Sequence, residues 1–143
     1  MKHMTLSEAF AFYKAKLKNR NWSVSAENAD GELVLSLWSH HFSAIGNIIR
    51  YVDKVSRWAG PGNKEFRERI EKAYSSGQTV RAVIARTNDE SAVETGKDTS
   101  KLKKTFSVKK DWFGKVVVWD GDSFEIEFTY WYLGFSSTGL ARE

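Results

Sequence analysis

Lysines and aromatic residues alternate along the segment from residue 97 to residue 115. The segment contains seven lysines and only two aspartates, which gives it a local excess of positive charge. Such an excess neutralises phosphates, and neighbouring aromatic rings can stack on bases, so the pattern favours nucleic-acid binding. A solvated edge strand whose lysines prevent aggregation would produce the same pattern, and both interpretations stay open. The aromatic residues are Phe106, Trp112 and Phe113, and the lysines are Lys97, Lys101, Lys103, Lys104, Lys109, Lys110 and Lys115.

A second basic group surrounds the sequence Gly60-Pro61-Gly62, which contains the only proline of the chain. Backbone amides of a glycine-rich loop that leads into a helix can hold a phosphate. The loop lacks the Gly-Lys-Ser/Thr ending of a Walker motif and the spacing of the dinucleotide fingerprint. Neither ATP hydrolysis nor Rossmann-type dinucleotide binding is therefore supported. The group consists of Arg50, Lys54, Arg57, Lys64, Arg67 and Arg69.

We expect phosphate contacts from both basic groups and from one further strand. Arg81 and Arg86 lie on that predicted strand, directly before a long polar loop. Trp38, beside the histidines, and Trp112, among the lysines, are the predicted base-stacking residues, because a base turned out of its stack needs aromatic walls. The predicted phosphate-binding residues are Lys101, Lys103, Lys104, Lys109, Lys110, Arg57, Arg81 and Arg86.

Two adjacent histidines, His40 and His41, could supply a metal ligand or a general base. If the preceding strand continues through them, their side chains point to opposite faces of the sheet and cannot hold one metal ion together. No metalloprotease spacing accompanies them. We therefore predict a role on a binding surface, with no metal and no other cofactor.

Four carboxylates, Asp120, Asp122, Glu125 and Glu127, would fit a metal-dependent nuclease. The same residues fit a tight hairpin turn at Asp120-Gly121-Asp122 followed by the solvent face of a strand. The chain also lacks the Gly-x-Ser-x-Gly motif of serine hydrolases. We predict that the chain has no catalytic activity of its own, and the nuclease stays open as an alternative.

The composition bounds the size and class of the protein. With 143 residues, 41% of them hydrophobic and 28% charged, the chain has the size of one domain with one sizeable core. It contains no cysteine, which excludes disulfides and thiolate chemistry. Six tryptophans contribute to an aromatic content of 14%, which favours a filled β core; the alternative is that one or two of the rings line a pocket for a flat ligand such as a base. The net charge of +4 fits an anionic partner.

Periodicity predicts two principal helices. Thr5 and Glu8 have the spacing of a capping box, and an apolar stripe that extends to Leu17 follows them. Asn63 is the predicted N-terminal cap of the second helix, and Gly77 stands where a C-terminal cap belongs.

Alternating apolar residues predict strands around and after these helices. Residues 39–58 fit either a helix or a strand, and residues 88–100 are typical of a long loop. Hairpins without regular βαβ alternation predict an α+β fold with a mainly antiparallel curved sheet or a small barrel. We treat residues 1–143 as one domain with ragged termini at about 1–4 and 134–143. The predicted strands cover residues 22–26, 33–38, 79–87, 104–109, 115–119 and 123–131.

The chain shows no apolar stretch of about 18 residues, and its first residues lead into an amphipathic segment rather than an apolar one. We therefore expect no membrane span, no secretion signal and no membrane partner. Together with the absence of cysteine, this predicts a cytoplasmic location.

Two segments resemble the DNA-recognition regions attached to HNH-type, modification-dependent restriction endonucleases of the McrA kind. They are residues 57–66, Arg-Trp-Ala-Gly-Pro-Gly-Asn-Lys-Glu-Phe, and residues 78–84, Gln-Thr-Val-Arg-Ala-Val-Ile. The resemblance implies a reader of modified cytosine in DNA. It implies no cleavage by this chain, because the Cys-x-x-Cys and the histidine array of the HNH nuclease are missing. It assigns no base-contacting residue.

The sequence thus leads to a DNA-binding domain that reads a modified or flipped base. DNA is favoured over RNA as the partner, and a separate effector protein is a further expected partner. The alternative is a small-molecule-binding or protein-interaction domain whose aromatic residues line a cavity.

Overall fold

The computed structural model describes residues 4–97, 99 and 102–130. These residues form three α-helices, eight β-strands and two short 3₁₀ turns. The helices are α1 (Leu6–Phe12), α2 (Asn63–Ser76) and α3 (Glu90–Glu94), and the 3₁₀ turns are Ser39–His41 and Val55–Arg57. The strands are β1 (Ser25–Glu27), β2 (Leu33–Trp38), β3 (Phe42–Ile45), β4 (Ile48–Lys54), β5 (Val80–Thr87), β6 (Lys104–Val108), β7 (Trp112–Trp119) and β8 (Ser123–Tyr130). None of these helices is long and apolar enough to cross a membrane.

The strands form one open, curved sheet with the order β1-β2-β5-β7-β8-β4-β3, and β6 pairs with β5 beside β7. Among the described strands, only the pairing of β2 with β5 is parallel. The predicted α+β class with a mainly antiparallel curved sheet is therefore confirmed, and the sheet stays open rather than closing into a barrel. The predicted hairpins β1–β2 and β7–β8 are both present.

β6 and β7 both run antiparallel to β5, and residues 109–111 interrupt the ladder between them. Polar side chains satisfy the backbone groups at this interruption. The Arg81 Nη2 donates to the carbonyl of Lys110 at 2.7 Å, and the Tyr13 Oη accepts from the N–H of Lys109 at 2.8 Å. A ladder that changes register inside the sheet thus keeps its hydrogen bonds.

The two longer helices pack against opposite faces of the sheet. Leu35 of β2 packs in one buried cluster with Ile70 of α2. The preceding residue of the strand, Val34, lies on the other face of the sheet and packs with Phe10 of α1. This alternation follows from the two-residue period of a strand. All four side chains are fully buried. Burial of each side chain of this size contributes roughly 1.5–3 kcal/mol to stability.

The helix ends differ in detail from the sequence expectation. The capping box of Thr5 and Glu8 is present, but α1 ends at Phe12, before the predicted apolar stripe ends. Leu17 is still buried, although it lies beyond the helix. The N-cap of α2 is Gly62 at φ 92° rather than Asn63, while Gly77 caps the C-terminus as predicted.

Two segments, one that fitted either a helix or a strand and one that was predicted as a loop, take regular structure. Residues 39–58 form the hairpin β3–β4, with a 3₁₀ turn on either side of it. The predicted long loop contains α3, whose N-terminus is capped by Asp89. At the N-terminal end of the described chain, Met4 forms a bridge with Phe106. The ragged C-terminal segment predicted at residues 134–143 lies outside the described residues.

Candidate functional site

A pocket of about 400 Å³ is lined by three tryptophans, Trp22, Trp38 and Trp58. We call it the indole pocket. Its walls come from the segment before β1, the end of β2, the loop before α2 and the α3 region. The volume lies within the range of sites for small ligands. Trp22 and Trp38 belong to neither buried cluster of the described residues, so their rings are not needed to fill the core.

A tight turn presents Trp22 at the pocket. The N–H groups of Trp22 and Ser23 both donate to the carbonyl of Asn19, at 3.2 and 2.7 Å. Gly62 lies directly against this turn, and a Cβ at this position would lie only 2.6 Å from the Trp22 carbonyl oxygen. Gly62 also has a φ of 92°, which side-chain-bearing residues rarely adopt. Glycine is therefore required where α2 begins.

The second indole, Trp38, is fixed at the end of β2 by a buried tyrosine. The Trp38 N–H donates to the Tyr51 Oη at 3.2 Å, and the same hydroxyl donates to the Asp53 Oδ2 at 3.2 Å. Burial and the neighbouring Asp53 carboxylate raise the pKa of Tyr51 well above its usual value. The phenol of Tyr51 therefore stays neutral, and its hydroxyl can accept one hydrogen bond and donate another.

The third indole, Trp58, follows the 3₁₀ turn Val55–Arg57. The Asn63 Nδ2 donates to the carbonyls of Trp58 and Val55 at 3.0 and 2.9 Å, which joins the loop to the start of α2. The Trp58 ring meets Phe66 edge to face, with centroids 5.8 Å apart. Asn63 therefore positions the loop rather than capping the helix as predicted.

Basic and acidic residues line the indole pocket. Arg57 and Asp53 line it but neutralise each other through two hydrogen bonds of 2.7 and 2.6 Å. Lys97 and Lys104 also line the pocket. The Lys104 ammonium donates to the Thr99 carbonyl at 2.8 Å. Flat aromatic walls beside cations suit a planar ring that carries an anionic group.

Three residues predicted as binding residues from the sequence line this pocket: Trp38, Arg57 and Lys104. The guanidinium of Arg57 is occupied, because its remaining terminal nitrogen Nη1 donates to the Val93 carbonyl at 3.0 Å. Arg57 therefore connects the 3₁₀ turn to α3. Burial alone would lower the pKa of Arg57, but the contact with Asp53 outweighs it and raises the pKa.

The other predicted stacking residue, Trp112, lies outside the pocket lining. Its ring packs between Phe42 and Phe128, with centroid distances of 5.7 and 5.8 Å. The Lys109 ammonium lies 5.3 Å from the Trp112 ring centroid. The two predicted stacking residues thus belong to different parts of the molecule.

The remaining predicted basic residues have varied surroundings. Arg81 is mostly buried, pairs with Glu32 at 3.4 Å, and lies 4.1 Å from the Phe113 ring centroid. Arg86 is exposed and donates to the Ser107 Oγ at 3.2 Å. Lys103 and Lys110 are exposed, whereas Lys101 lies outside the described residues.

His40, His41 and Glu94 form a second polar group, which we call the histidine–glutamate cluster. The Nε2 atoms of His40 and His41 lie 2.8 and 2.5 Å from the same Glu94 Oε2. The expectation that the two histidines face opposite sides assumed a continuous strand. β2 ends at Trp38, and the 3₁₀ turn that follows brings both rings to one carboxylate.

The electrostatic state of Glu94 reflects these contacts. Burial alone would raise the pKa of Glu94, but the hydrogen bonds with His40 and His41 outweigh it, and the pKa lies below its usual value. The carboxylate is therefore held in its charged form. Nothing in the local sequence around Glu94 points to this role, since the residue lies in a polar stretch far from the histidines.

The carboxylates of the predicted hairpin serve its turn and its strands. Asp122 accepts from the N–H and the Oγ of Ser56 at 2.9 and 3.0 Å. Arg50 of β4 pairs with Glu127 at 3.2 Å and with Glu125 at 3.8 Å. These contacts join β8 to β4 and the turn before β8 to the 3₁₀ turn Val55–Arg57.

The sequence reasoning did not include Trp22 or Trp58 among the stacking residues. Trp22 lies between polar residues in a turn, and a tryptophan in such surroundings is the available signal for a ring outside the core. Lys97 was recognised only as part of the lysine run. Comparisons with family models, with curated proteins and with solved structures found no match to this chain.

Proposed function

We propose that this chain is a DNA-binding domain that holds one base, turned out of its stack, in the indole pocket. The observation that carries the proposal is the convergence of Trp22, Trp38 and Trp58 on one pocket that Lys97 and Lys104 also line. Proteins that take a base out of a duplex enclose it between aromatic side chains. Cations beside such a pocket hold the flanking phosphates.

The charge of the pocket supports this choice over a cationic ligand. Aromatic cages for quaternary ammonium groups rely on the negative faces of the rings, and two nearby ammonium groups would oppose such a ligand. Phosphates on either side of an extruded base gain from the same two lysines. The pocket therefore fits an anionic polymer that carries flat groups.

Polar groups in the pocket offer a means of reading the base. Asn21 and Ser36 line it, and a carboxamide and a hydroxyl can provide hydrogen-bond donors and acceptors. Such groups distinguish the edge of one base from another and respond to an added substituent. Recognition of a modified cytosine, with cleavage left to a separate effector protein, is the specific form of this proposal.

A second candidate is the binding of a free small molecule. A pocket of about 400 Å³ can enclose most of a nucleotide-sized ligand without any polymer. A melting-temperature shift with free nucleotides or other metabolites, but no binding to DNA, would favour this candidate.

The test is the affinity for labelled oligonucleotides, measured by fluorescence anisotropy at low ionic strength and then with increasing salt. Single-stranded and duplex DNA with cytosine, 5-methylcytosine or 5-hydroxymethylcytosine, and an RNA of the same sequence, are compared. We expect DNA binding that weakens steeply with salt. Absence of salt-sensitive binding to all DNA probes would contradict the proposal.

A pair of tryptophan variants tests the pocket itself. Trp38→Ala removes a stacking surface and should weaken binding by roughly 5- to 150-fold, because stacking on one aromatic ring contributes about 1–3 kcal/mol. Trp119→Ala is the matched control, since Trp119 packs against the core and does not line the pocket. Circular dichroism and thermal melting establish that both variants fold. Equal effects of the two substitutions on binding would contradict the pocket assignment.

A further inference from the structure

The histidine–glutamate cluster brings three metal-ligating groups together. One ring nitrogen from each of His40 and His41 and a carboxylate oxygen of Glu94 all lie within 4.8 Å of one another. They come from two separate elements, the 3₁₀ turn after β2 and the last residue of α3. All three groups are partly accessible to solvent, so an ion can reach them.

The ring of His41 is held by contacts at both of its nitrogens. The His41 Nδ1 lies 2.9 Å from the Val52 carbonyl oxygen, which can only accept, so Nδ1 carries the hydrogen. The His41 Nε2 lies 2.5 Å from the Glu94 Oε2, so this second nitrogen faces the carboxylate.

We propose that His40, His41 and Glu94 bind one zinc ion. Two imidazoles and one carboxylate are a donor set typical of zinc, whereas magnesium and calcium take oxygen ligands almost exclusively. A metal-binding histidine usually donates its other ring N–H to a backbone carbonyl or a carboxylate. The His41 Nδ1 makes this contact with Val52.

Binding requires an outward movement of Glu94 and an adjustment of the two imidazole rings. Zinc bonds of about 2.0–2.2 Å in tetrahedral geometry place neighbouring ligand atoms roughly 3.4 Å apart. The present distances of 2.5 and 2.8 Å from the histidine nitrogens to Glu94 are shorter than that. The Glu94 side chain is 45% exposed at the end of a short helix, so it can move outward.

The surroundings leave room for a fourth ligand. His41 and Glu94 also line an open cleft of about 430 Å³, from which water can complete the coordination. Asp53 lines the same cleft, but Arg57 matches its charge. The charge that favours the ion is therefore supplied mainly by Glu94.

The proposed zinc site is connected to the indole pocket through the residues next to Glu94. The proposal of a zinc site does not depend on DNA binding. Val93 and Lys97, on either side of Glu94, line that pocket. Gly96 approaches the Arg57 carbonyl so closely that a Cβ would lie 2.6 Å from the oxygen. An ion that joins Glu94 to the histidines would hold this wall of the pocket in place.

The test uses the full chain freed of metal with a chelator, titrated with zinc chloride near neutral pH without DNA. Calorimetry should give one equivalent of bound zinc. Glu94→Gln and His41→Gln should each weaken binding at least about tenfold, since even the loss of a residue that only supports a ligand weakens metal binding by about 10- to 100-fold. Glu90→Gln, on the first turn of the same helix, is the matched control and should leave the affinity unchanged.

Cobalt provides a second measurement. Cobalt(II) in a site of this kind absorbs visible light with an intensity that reports the coordination geometry. We expect these bands for the wild-type chain and for Glu90→Gln, and their loss in His40→Gln. Absence of zinc binding at micromolar protein concentration would overturn the proposal. So would zinc binding of equal strength in Glu94→Gln and Glu90→Gln, because the ion would then lie elsewhere.

Discussion

Arg57 and Asp53 form an ion pair with two hydrogen bonds, with Nε 2.7 Å from Oδ1 and Nη2 2.6 Å from Oδ2. Both side chains are largely buried, at 12% and 4% exposure. The pair lines the indole pocket and the cleft beside the histidine–glutamate cluster. Because Arg57 also donates to the Val93 carbonyl, the pair connects the end of β4 to α3. It is part of the scaffold that the two sites share.

Removal of Arg57 should destabilise the fold strongly. Arg57→Gln leaves the buried Asp53 carboxylate without its cation, and breaking a buried ion pair from one side costs about 3–5 kcal/mol. The free energy of unfolding in urea measures this loss. The double variant Asp53→Asn/Arg57→Gln should recover part of it, because no charge then stays buried and unpaired. A loss below about 1 kcal/mol for Arg57→Gln would contradict the structural role of the pair.

The lysines that line the indole pocket should contribute to the salt dependence of DNA binding. Lys97→Gln and Lys104→Gln should each weaken binding at all sequences and reduce the slope of log K against log salt by about 1. Lys115→Gln is the control, since Lys115 belongs to the same run of sequence but donates to the Gly77 carbonyl at the end of α2. If the salt slopes of Lys97→Gln, Lys104→Gln and Lys115→Gln are equal, the DNA phosphates do not bind at Lys97 and Lys104.

Gly114 should tolerate no side chain, because Phe128 lies directly over it. A Cβ at Gly114 would lie 2.5 Å from the Phe128 Cδ1, and the Phe128 ring is fully buried. Gly114→Ala should therefore cost about 1–3 kcal/mol, as overpacked cores do. Denaturant unfolding measures the change, and Val117→Ala, an exposed position on the same strand, is the control with a smaller expected effect. Unchanged stability of Gly114→Ala would show that β7 and β8 are not paired in this register.

The Asp122–Ser56 contact should make stability depend on pH in the acid range. Hydrogen bonds from Ser56 hold the pKa of Asp122 below its usual value. A lowered pKa in the folded state stabilises the fold above the unfolded pKa of about 3.9. This contribution is lost as the pH falls through the folded value. The melting temperature of wild type should therefore exceed that of Asp122→Asn near neutral pH, and the difference should shrink below about pH 4.

Ser56→Ala removes the same contact from the other side and serves as the control for this prediction. Its melting temperature should show the same narrowing difference from wild type in acid. A difference between wild type and Asp122→Asn that stays constant over the acid range would contradict the predicted linkage.

The fold class follows from patterns that are local in the sequence. The capping box at Thr5, the alternation of Leu33, Leu35 and Leu37, and the turn at Asp120-Gly121-Asp122 each depend on a few neighbouring residues. Such patterns determine single elements and hairpins. They were sufficient for an α+β fold with a mainly antiparallel curved sheet.

The candidate sites depend on contacts between distant residues, and these could not be read from local patterns. Glu94 meets His41 across 53 positions of the chain, and the parallel pairing of β2 with β5 determines which ends of the sheet lie together. The 3₁₀ turn after Trp38 changed the direction of both histidines. Arg81 was predicted as a phosphate contact because its charge can be read from the sequence. Its contact with Phe113, which lies far away in the chain, cannot be read in this way.

The measurement that tests the central claim most directly is photo-crosslinking of DNA that carries 5-iodocytosine at the recognised position. A halogenated base reacts with an aromatic side chain that stacks on it, and mass spectrometry of the digested complex identifies the residue. We predict crosslinks to Trp22, Trp38 or Trp58. Crosslinks confined to Trp112 or Trp119, with none in the indole pocket, would contradict the claim that the pocket holds the base.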